Sequence, residues 1–200
     1  HVLFGDSLYG YDIRATDYDH LDREQLLSYF RAAYQPKNCT VIVSGKVKDE
    51  SLRLLDELFG KDWNNSFEVK ENSFDFKADS GKEHYVEKAD ALQSAIRIGQ
   101  ISINRTHADF AGLQVVNTIL GGYFGSRLMA NIREDKGFTY GIGSALVSLK
   151  NSGYFFIASE VGADVCSAAM TEIEKEITVL KKEAVSEEEL SLVRNYMLGS

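Results

Sequence analysis

An arginine and a tyrosine lie seven positions apart in the second half of this 200-residue chain, at Arg133 and Tyr140. A guanidinium and a phenol both donate hydrogen bonds, and two donors aimed at one point can stabilise a carbonyl oxygen that gains negative charge. The surrounding pattern predicts a short helix from about Ser126 to Lys136, a turn at Gly137 and then a strand. Arg133 falls in the last turn of that helix, where a cation complements the helix dipole. The two side chains can therefore converge at this corner.

Spacing alone leaves a structural alternative open for both residues. Arg133 could pair with a neighbouring carboxylate, and Tyr140 could be a half-buried aromatic residue of the strand. The preceding glycines raise a similar choice, because they could simply allow a tight turn or could lie against a bound substrate. These glycines are Gly121, Gly122 and Gly125.

Motifs of other catalytic and cofactor-binding classes are absent from the sequence. It contains no G-x-x-x-x-G-K-[ST], no G-x-G-x-x-G after a strand and no G-x-S-x-G. The four histidines form no H-x-x-E-H or H-x-x-x-H pair, so no helix offers two imidazoles on one face to zinc. They are His1, His20, His84 and His107. The sequence therefore predicts no metal site, no cofactor and no catalytic residue within this chain.

Composition narrows the range of partners. The chain carries 22 Lys and Arg against 30 Asp and Glu, a formal charge of −8, which argues against a nucleic-acid partner. Its apolar runs are too short to predict a transmembrane segment. Cys39 and Cys166 lack the spacing of metal ligands and are predicted to be buried structural thiols. Without a disulfide pattern, the localisation is open between cytoplasm and periplasm.

The pattern of elements predicts an α+β fold. Helices are predicted over 22–34, from 49 to about 59, over 163–182 and from 186 onward. Strands are predicted over 39–45 and 91–103, with shorter segments at Phe74/Phe76 and Tyr85/Val86 and a hairpin formed by 138–149 and 154–161. Because the strands come in runs, we expect an antiparallel or mixed sheet that is covered by helices on one face.

Several stretches in a fixed order resemble the second, non-zinc domain of the pitrilysin/insulinase family of zinc peptidases. This family includes the mitochondrial processing peptidase, and the domain is often called the peptidase inactive domain. The stretch from Arg133 to Tyr140 is similar to the family signature "lRek-GlaY". The likeness covers about residues 20–200 and is carried by Leu26–Gly45, Ile119–Gly122, Ser126–Leu128, Arg133–Tyr140 and Ser186–Tyr196.

The resemblance implies a processing-peptidase-like fold and a role in peptide hydrolysis. Family members enclose a substrate chamber between two halves, and an H-x-x-E-H helix with a downstream Glu holds zinc in the first half. In the assembled enzyme, zinc would activate a water molecule and a Glu would act as general base. By motif, Arg133 and Tyr140 would contact the peptide substrate, and Gly121 and Gly122 fall in a region that is glycine-rich in processing peptidases. The chain alone would be inactive and would need a zinc-bearing domain or subunit as its partner.

The resemblance also implies a domain division and leaves alternatives open. Residues 1–20 are expected to be a linker or the tail of a preceding zinc-bearing domain, and residues 21–200 the non-zinc domain. The family's domain normally continues with another helix and strand, so we expect this one to be truncated at its C-terminus. One alternative is a non-catalytic, chamber-forming or scaffold subunit that pairs with a separate zinc-bearing subunit. Another is a small domain that binds a partner through its sheet edge.

Overall fold

The computed structural model describes residues 1–60, 63 and 81–199 of the chain. Contacts divide the chain into two compact units. The first combines residues 1–10 with the part that follows residue 75, and the second spans residues 11–75. Across the described residues, no helix is both long and apolar enough to cross a bilayer.

The first unit is built on an antiparallel sheet of three strands in the order β1–β3–β2. The strands are β1 (Gln93–Ser102), β2 (Thr139–Ser148) and β3 (Gly153–Gly162). β1 and β3 pair without interruption from Gln93 opposite Gly162 to Ser102 opposite Gly153. β2 and β3 form the predicted hairpin, and their register shifts between Thr139 and Ile142. This shift is a β-bulge, in which one strand carries an extra residue.

Helical segments cover one face of this sheet. They are α4 (Phe110–Asn117), the π-helical turn Thr118–Gly122, the π-helix Met129–Asp135, α5 (Cys166–Lys182) and α6 (Glu187–Gly199). The core between the sheet and these helices includes Ile142 and Ile157 from the strands, Ile132 from the π-helix and Ile173 from α5, each at most 5% exposed. Burying such aliphatic side chains stabilises the fold by about 1.5–3 kcal/mol each.

The N-terminal residues pack with aromatic side chains of β3. Phe4 is 5% exposed, and its ring meets those of Tyr9 and Tyr154 edge-on at 5.7 and 6.0 Å between centroids. Tyr154 and Phe156 alternate with the core residue Ile157, so they belong to the other face of the sheet. Residues 1–10 therefore fold as part of this unit.

The second unit is helical in its described part. It contains α1 (Ala15–Asp19), α2 (Arg23–Ala33) and α3 (Asp49–Phe59). Asp22 caps α2, since its carboxylate accepts a hydrogen bond from the Gln25 amide at 2.7 Å and the Gln25 side chain accepts one from the Asp22 amide. The predicted boundaries of α2 and α3 agree with the structure to within about one residue.

The predicted buried strand at residues 39–45 is wrong. This segment forms no ladder with another described strand, and Ile42 is 88% exposed. A β-branched run favours extended backbone, but it becomes a strand only where a neighbour supplies hydrogen bonds and packing. Cys39 is likewise exposed rather than buried, while Cys166 is half-buried, and both thiols are free. The short segment predicted at Phe74/Phe76 lies outside the described residues.

The predicted α+β class and antiparallel sheet are confirmed. The predicted bounds of β1 and of the hairpin strands agree with the structure to within two residues, and α5 begins at Cys166, three residues after its predicted start. The predicted helix over 126–136 is present as a helical segment whose larger part is a π-helix. π-helical turns are rare and occur frequently at functional sites.

Candidate functional site

The candidate site is formed where the π-helix Met129–Asp135 turns into β2. Met129 and Ile132 anchor the helix in the core, at 8% and 0% exposure. The helix closes with wide backbone hydrogen bonds, since the Phe138 amide donates to the Ile132 carbonyl at 3.0 Å. Gly137 has a φ of +64°, a left-handed conformation that favours glycine and lets the chain reverse into the strand. The corner is thus fixed on both sides by packing and backbone geometry.

Arg133 lies in the last turn of this helix, as predicted. Its Nε donates a hydrogen bond to the backbone carbonyl of Tyr140 at 3.0 Å. Its guanidinium carbon lies 4.7 Å from the centre of the Phe124 ring, within the range of a cation–π contact. Its Nη1 also lies 3.7 Å from a carboxylate oxygen of Glu134, in a pair too long for a hydrogen bond and partly in water. A carbonyl and a ring therefore hold the guanidinium, and its terminal nitrogens keep donor capacity.

Tyr140 points into solvent, with 94% of the residue exposed. Side chains alternate along a regular strand, so Tyr140 would lie on the same face as Ile142, which is buried in the core. The bulge between Thr139 and Ile142 breaks this alternation. The alternative that Tyr140 is a half-buried strand aromatic is therefore wrong. The alternative that Arg133 pairs with a neighbouring carboxylate is confirmed in part. Arg133 meets the carboxylate of Glu134, but the distance is too long for a hydrogen bond.

Two hydroxyl groups hold the bulge in place. Thr139 Oγ1 accepts a hydrogen bond from the Gly141 amide at 3.1 Å and lies 2.7 Å from the Glu160 carbonyl, to which it donates. Ser159 Oγ donates to the Gly141 carbonyl at 3.0 Å and lies 3.1 Å from Thr139 Oγ1. The backbone groups displaced by the extra residue thus find side-chain partners.

The two candidate glycines lie in the π-helical turn Thr118–Gly122, which packs against β2, and they have different surroundings. Gly121 is buried, and a Cβ atom there would lie 2.7 Å from the backbone nitrogen of Ser144 on β2. Gly122 is half-buried, and its Cβ would lie 3.0 Å from the side-chain nitrogen of Asn117. Close packing against β2 accounts for glycine at 121. Contact of either glycine with a substrate stays a prediction.

A second arginine, Arg127, stands six positions before Arg133 in a closed ion pair. Its Nε and Nη2 donate to the two carboxylate oxygens of Glu189 on α6, at 2.8 and 2.7 Å. The two side chains are 17% and 26% exposed. This bidentate hydrogen bonding with Arg127 holds the pKa of Glu189 below its ordinary range. The ion pair connects the segment that leads into the site helix with α6.

The described residues do not fit a metal ion. In residues 1–60, 63 and 81–199, no group of three His, Cys, Asp or Glu side chains could hold one. The imidazole of His107 lies against the Asp109 amide at 3.2 Å, and that of His84 lies against the Gly81 carbonyl at 3.1 Å. Any zinc chemistry would need donors from outside this part of the chain.

Comparison with protein-family models identifies the chain. Residues 20–197 match the model described as the peptidase M16 inactive domain. The chain belongs to this family. The match agrees with the extent of the resemblance found in the sequence, and it includes the site corner and the helix that holds Glu189.

Curated relatives of this M16 inactive domain carry protease names. The chain is 26% identical over 202 residues to a Bacillus subtilis protein named uncharacterized zinc protease YmxG, covering 100% of this chain and 48% of the relative. It is also 26% identical over 188 residues to a B. subtilis protein named probable inactive metalloprotease YmfF, covering 91% and 43%. The chain therefore spans about half the length of the curated relatives it matches.

Solved structures show the same fold. A peptidase M16 inactive domain from Pseudomonas fluorescens superposes with a TM-score of 0.88 at 22% identity, covering 100% of this chain and 48% of that one. A protease from Helicobacter pylori superposes with a TM-score of 0.81 at 19% identity, covering 93% and 46%. At these identities the likeness concerns the fold alone.

The structure adds three residues that the sequence did not single out. Phe124 lies within the glycine-rich segment and supports the Arg133 guanidinium, while Thr139 and Ser159 hold the bulge. One signal for Ser159 was present in the sequence, because it interrupts the apolar positions Ile157 and Val161 of β3. A serine at a core position needs a buried hydrogen-bond partner, and here the partner is the bulged strand.

Proposed function

We propose that this M16 inactive domain is the substrate-contacting, non-zinc part of a peptidase, and that Arg133 and Tyr140 donate hydrogen bonds to the backbone of a bound peptide. The observation that carries the proposal is the pairing of an exposed phenol with an anchored guanidinium. Tyr140 is turned 94% into solvent, and its own carbonyl fixes the position of Arg133.

The electrostatics of this corner suit a carbonyl ligand. After Nε is bound to Tyr140, the terminal nitrogens of Arg133 can donate to an oxygen brought from outside. The Phe124 ring beneath the guanidinium limits its movement, so little conformational freedom is lost when a ligand binds. The held guanidinium, together with the Tyr140 hydroxyl, would favour a carbonyl oxygen most strongly when that oxygen gains negative charge.

Peptide cleavage itself would depend on groups outside this chain. We propose that a zinc-bearing half of the same protein closes a chamber over the Arg133–Tyr140 corner. Together, this chain and the zinc-bearing half form the assembled protein. The zinc protease names of several relatives and their roughly doubled length support this arrangement.

The test is peptide hydrolysis by the assembled protein with Arg133→Ala or Tyr140→Phe. Each change removes one donor, so turnover of a quenched-fluorescent peptide should fall by roughly 10²-fold or more. If the donors act mainly on the developing charge, the loss appears in kcat more than in KM. The control is Tyr85→Phe, which changes another tyrosine that is 88% exposed and should leave turnover unchanged. Full activity of both site variants would overturn the proposal.

A second candidate function is that of a non-catalytic, chamber-forming subunit. One relative is named a probable inactive metalloprotease, which favours this alternative for at least part of the family. Zinc content of the assembled protein separates the two. One zinc per chain together with an H-x-x-E-H motif in the same polypeptide supports a single-chain peptidase, whereas zinc that is found only in a co-purifying subunit supports the alternative.

A further inference from the structure

The bulge that exposes Tyr140 depends on two hydroxyl groups rather than on the sheet alone. In a regular hairpin, ladder hydrogen bonds would satisfy the backbone of residues 139–142 and keep Tyr140 on the same face as Ile142. Here the extra residue removes two backbone groups of Gly141 from the ladder, and these bond to side chains instead. Without such partners, the displaced groups would favour a return to regular pairing.

Ser159 occupies a position where an apolar side chain would be expected. It is 4% exposed, and its neighbours on the same face of β3, Ile157 and Val161, are each 0% exposed. A buried hydroxyl in such surroundings is costly unless it is hydrogen-bonded. Its partners are the Gly141 carbonyl and Thr139 Oγ1, both within the bulge.

Thr139 connects the bulge to β3 and, through it, to β1. Its hydroxyl bridges the Gly141 amide and the Glu160 carbonyl. The Glu160 side chain pairs with Arg97 of β1 at 2.6 Å, and Arg97 also donates to the Ser159 carbonyl at 3.1 Å. The network therefore runs across all three strands and ends at the residue beside Tyr140.

We propose that Thr139 and Ser159 are positioning residues that hold the bulge and thereby turn Tyr140, with the carbonyl that anchors Arg133, toward the peptide. The inference rests on the proposed function, because it concerns the same site. It adds two residues that touch no substrate and act through Tyr140. Loss of either hydroxyl allows the strand to return to regular pairing, which moves the phenol away from solvent.

The test uses Thr139→Val in the assembled protein, because valine keeps the shape of threonine and removes its hydroxyl. Because a misplacement of even about 1 Å can cost roughly 100-fold, turning the phenol away from solvent should lower kcat/KM for a quenched-fluorescent peptide by roughly 10- to 100-fold or more. Thr139→Ser, which restores the hydroxyl, should return activity to within about threefold of wild type. Ser159→Ala should reproduce the loss. Where the assembled protein does not cleave, the Kd of the same labelled peptide replaces kcat/KM.

The control is Ser148→Ala at the other end of β2. The Ser148 hydroxyl accepts a hydrogen bond from the Arg105 amide at 2.9 Å, so its loss also deletes a hydroxyl-to-backbone bond of the same strand. This variant should keep wild-type activity. A comparable loss in Ser148→Ala and Thr139→Val would show a general effect of weakening the strand and would overturn the inference.

A double-mutant cycle separates positioning from folding. If Thr139 acts by orienting Tyr140, adding Thr139→Val to Tyr140→Phe should cost clearly less than the loss of at least roughly tenfold that it causes in wild type. Part of the loss should remain, because the carbonyl of residue 140 still anchors Arg133 in the Phe variant. An equal loss in both backgrounds would overturn the inference. Losses in Arg133→Ala and Tyr140→Phe with none in Thr139→Val would overturn this inference alone, and no loss in any of them would overturn the proposed function as well.

Discussion

Two arginines on the same short segment show how surroundings determine what a cation can do. Arg127 directs two nitrogens at both oxygens of Glu189, and the pair is mostly enclosed. Arg133 uses one nitrogen on a backbone carbonyl and rests on the Phe124 ring, at the edge of solvent. The first is paired within the fold, whereas the second is fixed in position with donors left over.

The difference teaches that residue type alone does not identify a functional cation. Both arginines belong to motifs that resemble the same family, and both lie near the site helix. A guanidinium whose charge is bonded to a carboxylate inside the fold mainly stabilises the fold. A guanidinium that is held through Nε can still bind a ligand through its terminal nitrogens.

The sharpest test of this comparison is Arg127→Ala beside Arg133→Ala. Removing Arg127 leaves a half-buried carboxylate without its partner, so the free energy of unfolding should fall by about 2–3 kcal/mol. Urea unfolding of the assembled protein measures this change, and peptide turnover should stay within about threefold of wild type. The control is Arg194→Ala, an exposed arginine of α6. A large loss of turnover in folded Arg127→Ala would break the distinction between the two arginines.

The two glycines of the π-helical turn Thr118–Gly122 allow a smaller version of the same test. In Gly121→Ala the new methyl group would lie 2.7 Å from a backbone nitrogen of β2, which cannot move without shifting the strand. We expect a loss of about 1–2 kcal/mol in unfolding free energy. In Gly122→Ala the methyl group would lie 3.0 Å from the Asn117 side chain and 3.2 Å from the Asn117 carbonyl oxygen, so the loss of stability should be smaller. Thermal unfolding of the two variants compares them.

The KM of the glycine variants for a peptide substrate tests whether either position contacts that substrate. If Gly122 lies against the peptide, Gly122→Ala should raise KM although the protein stays folded. If it serves only the turn, KM should remain at the wild-type value. Equal destabilisation in both variants would contradict the difference in packing described for them.

The smallest expected effect is the pH dependence of the Arg127–Glu189 pair. Because Arg127 lowers the pKa of Glu189 in the folded state, the unfolded state binds its proton at a higher pH than the folded state does. The contribution to stability is therefore complete above the ordinary pKa of 4.5 and is lost as pH falls through the lowered folded value. Urea unfolding of wild type and Glu189→Gln should differ at pH 7 and converge in strong acid.

A matched variant tests whether the convergence of the two stabilities in acid is caused by the Arg127–Glu189 pair. Glu188→Gln removes an exposed carboxylate from the same turn of α6 and controls for the general loss of negative charge. A stability difference between wild type and Glu189→Gln that persists unchanged in strong acid would contradict the assignment.

The sequence predicts those helices and strands that are determined by the pattern of neighbouring residues. The alternating hairpin, strand β1 and the amphipathic helix α5 follow from periodicity. The prediction of a strand at residues 39–45 is wrong for the opposite reason, because a β-branched run does not show whether a partner strand is present. Spacing likewise suggests that Arg133 and Tyr140 converge, since seven residues span one helix-to-strand corner.

The remaining features of the site depend on contacts that are distant in the chain. The exposure of Tyr140 results from a bulge, and that bulge is held by Ser159, 18 positions beyond Gly141. The pairing of Arg127 with Glu189 spans 62 positions. Neither spacing nor periodicity carries information about such partners, so the sequence left the choice between a buried and an exposed tyrosine open.

The central claim is that Arg133 and Tyr140 hold a peptide carbonyl, and a crystal structure of the assembled protein with a bound peptide tests it most directly. The account predicts that a terminal nitrogen of Arg133 and the hydroxyl of Tyr140 lie within about 3 Å of backbone carbonyl oxygens of that peptide. A peptide bound in the chamber with neither side chain in hydrogen-bond contact would contradict the account.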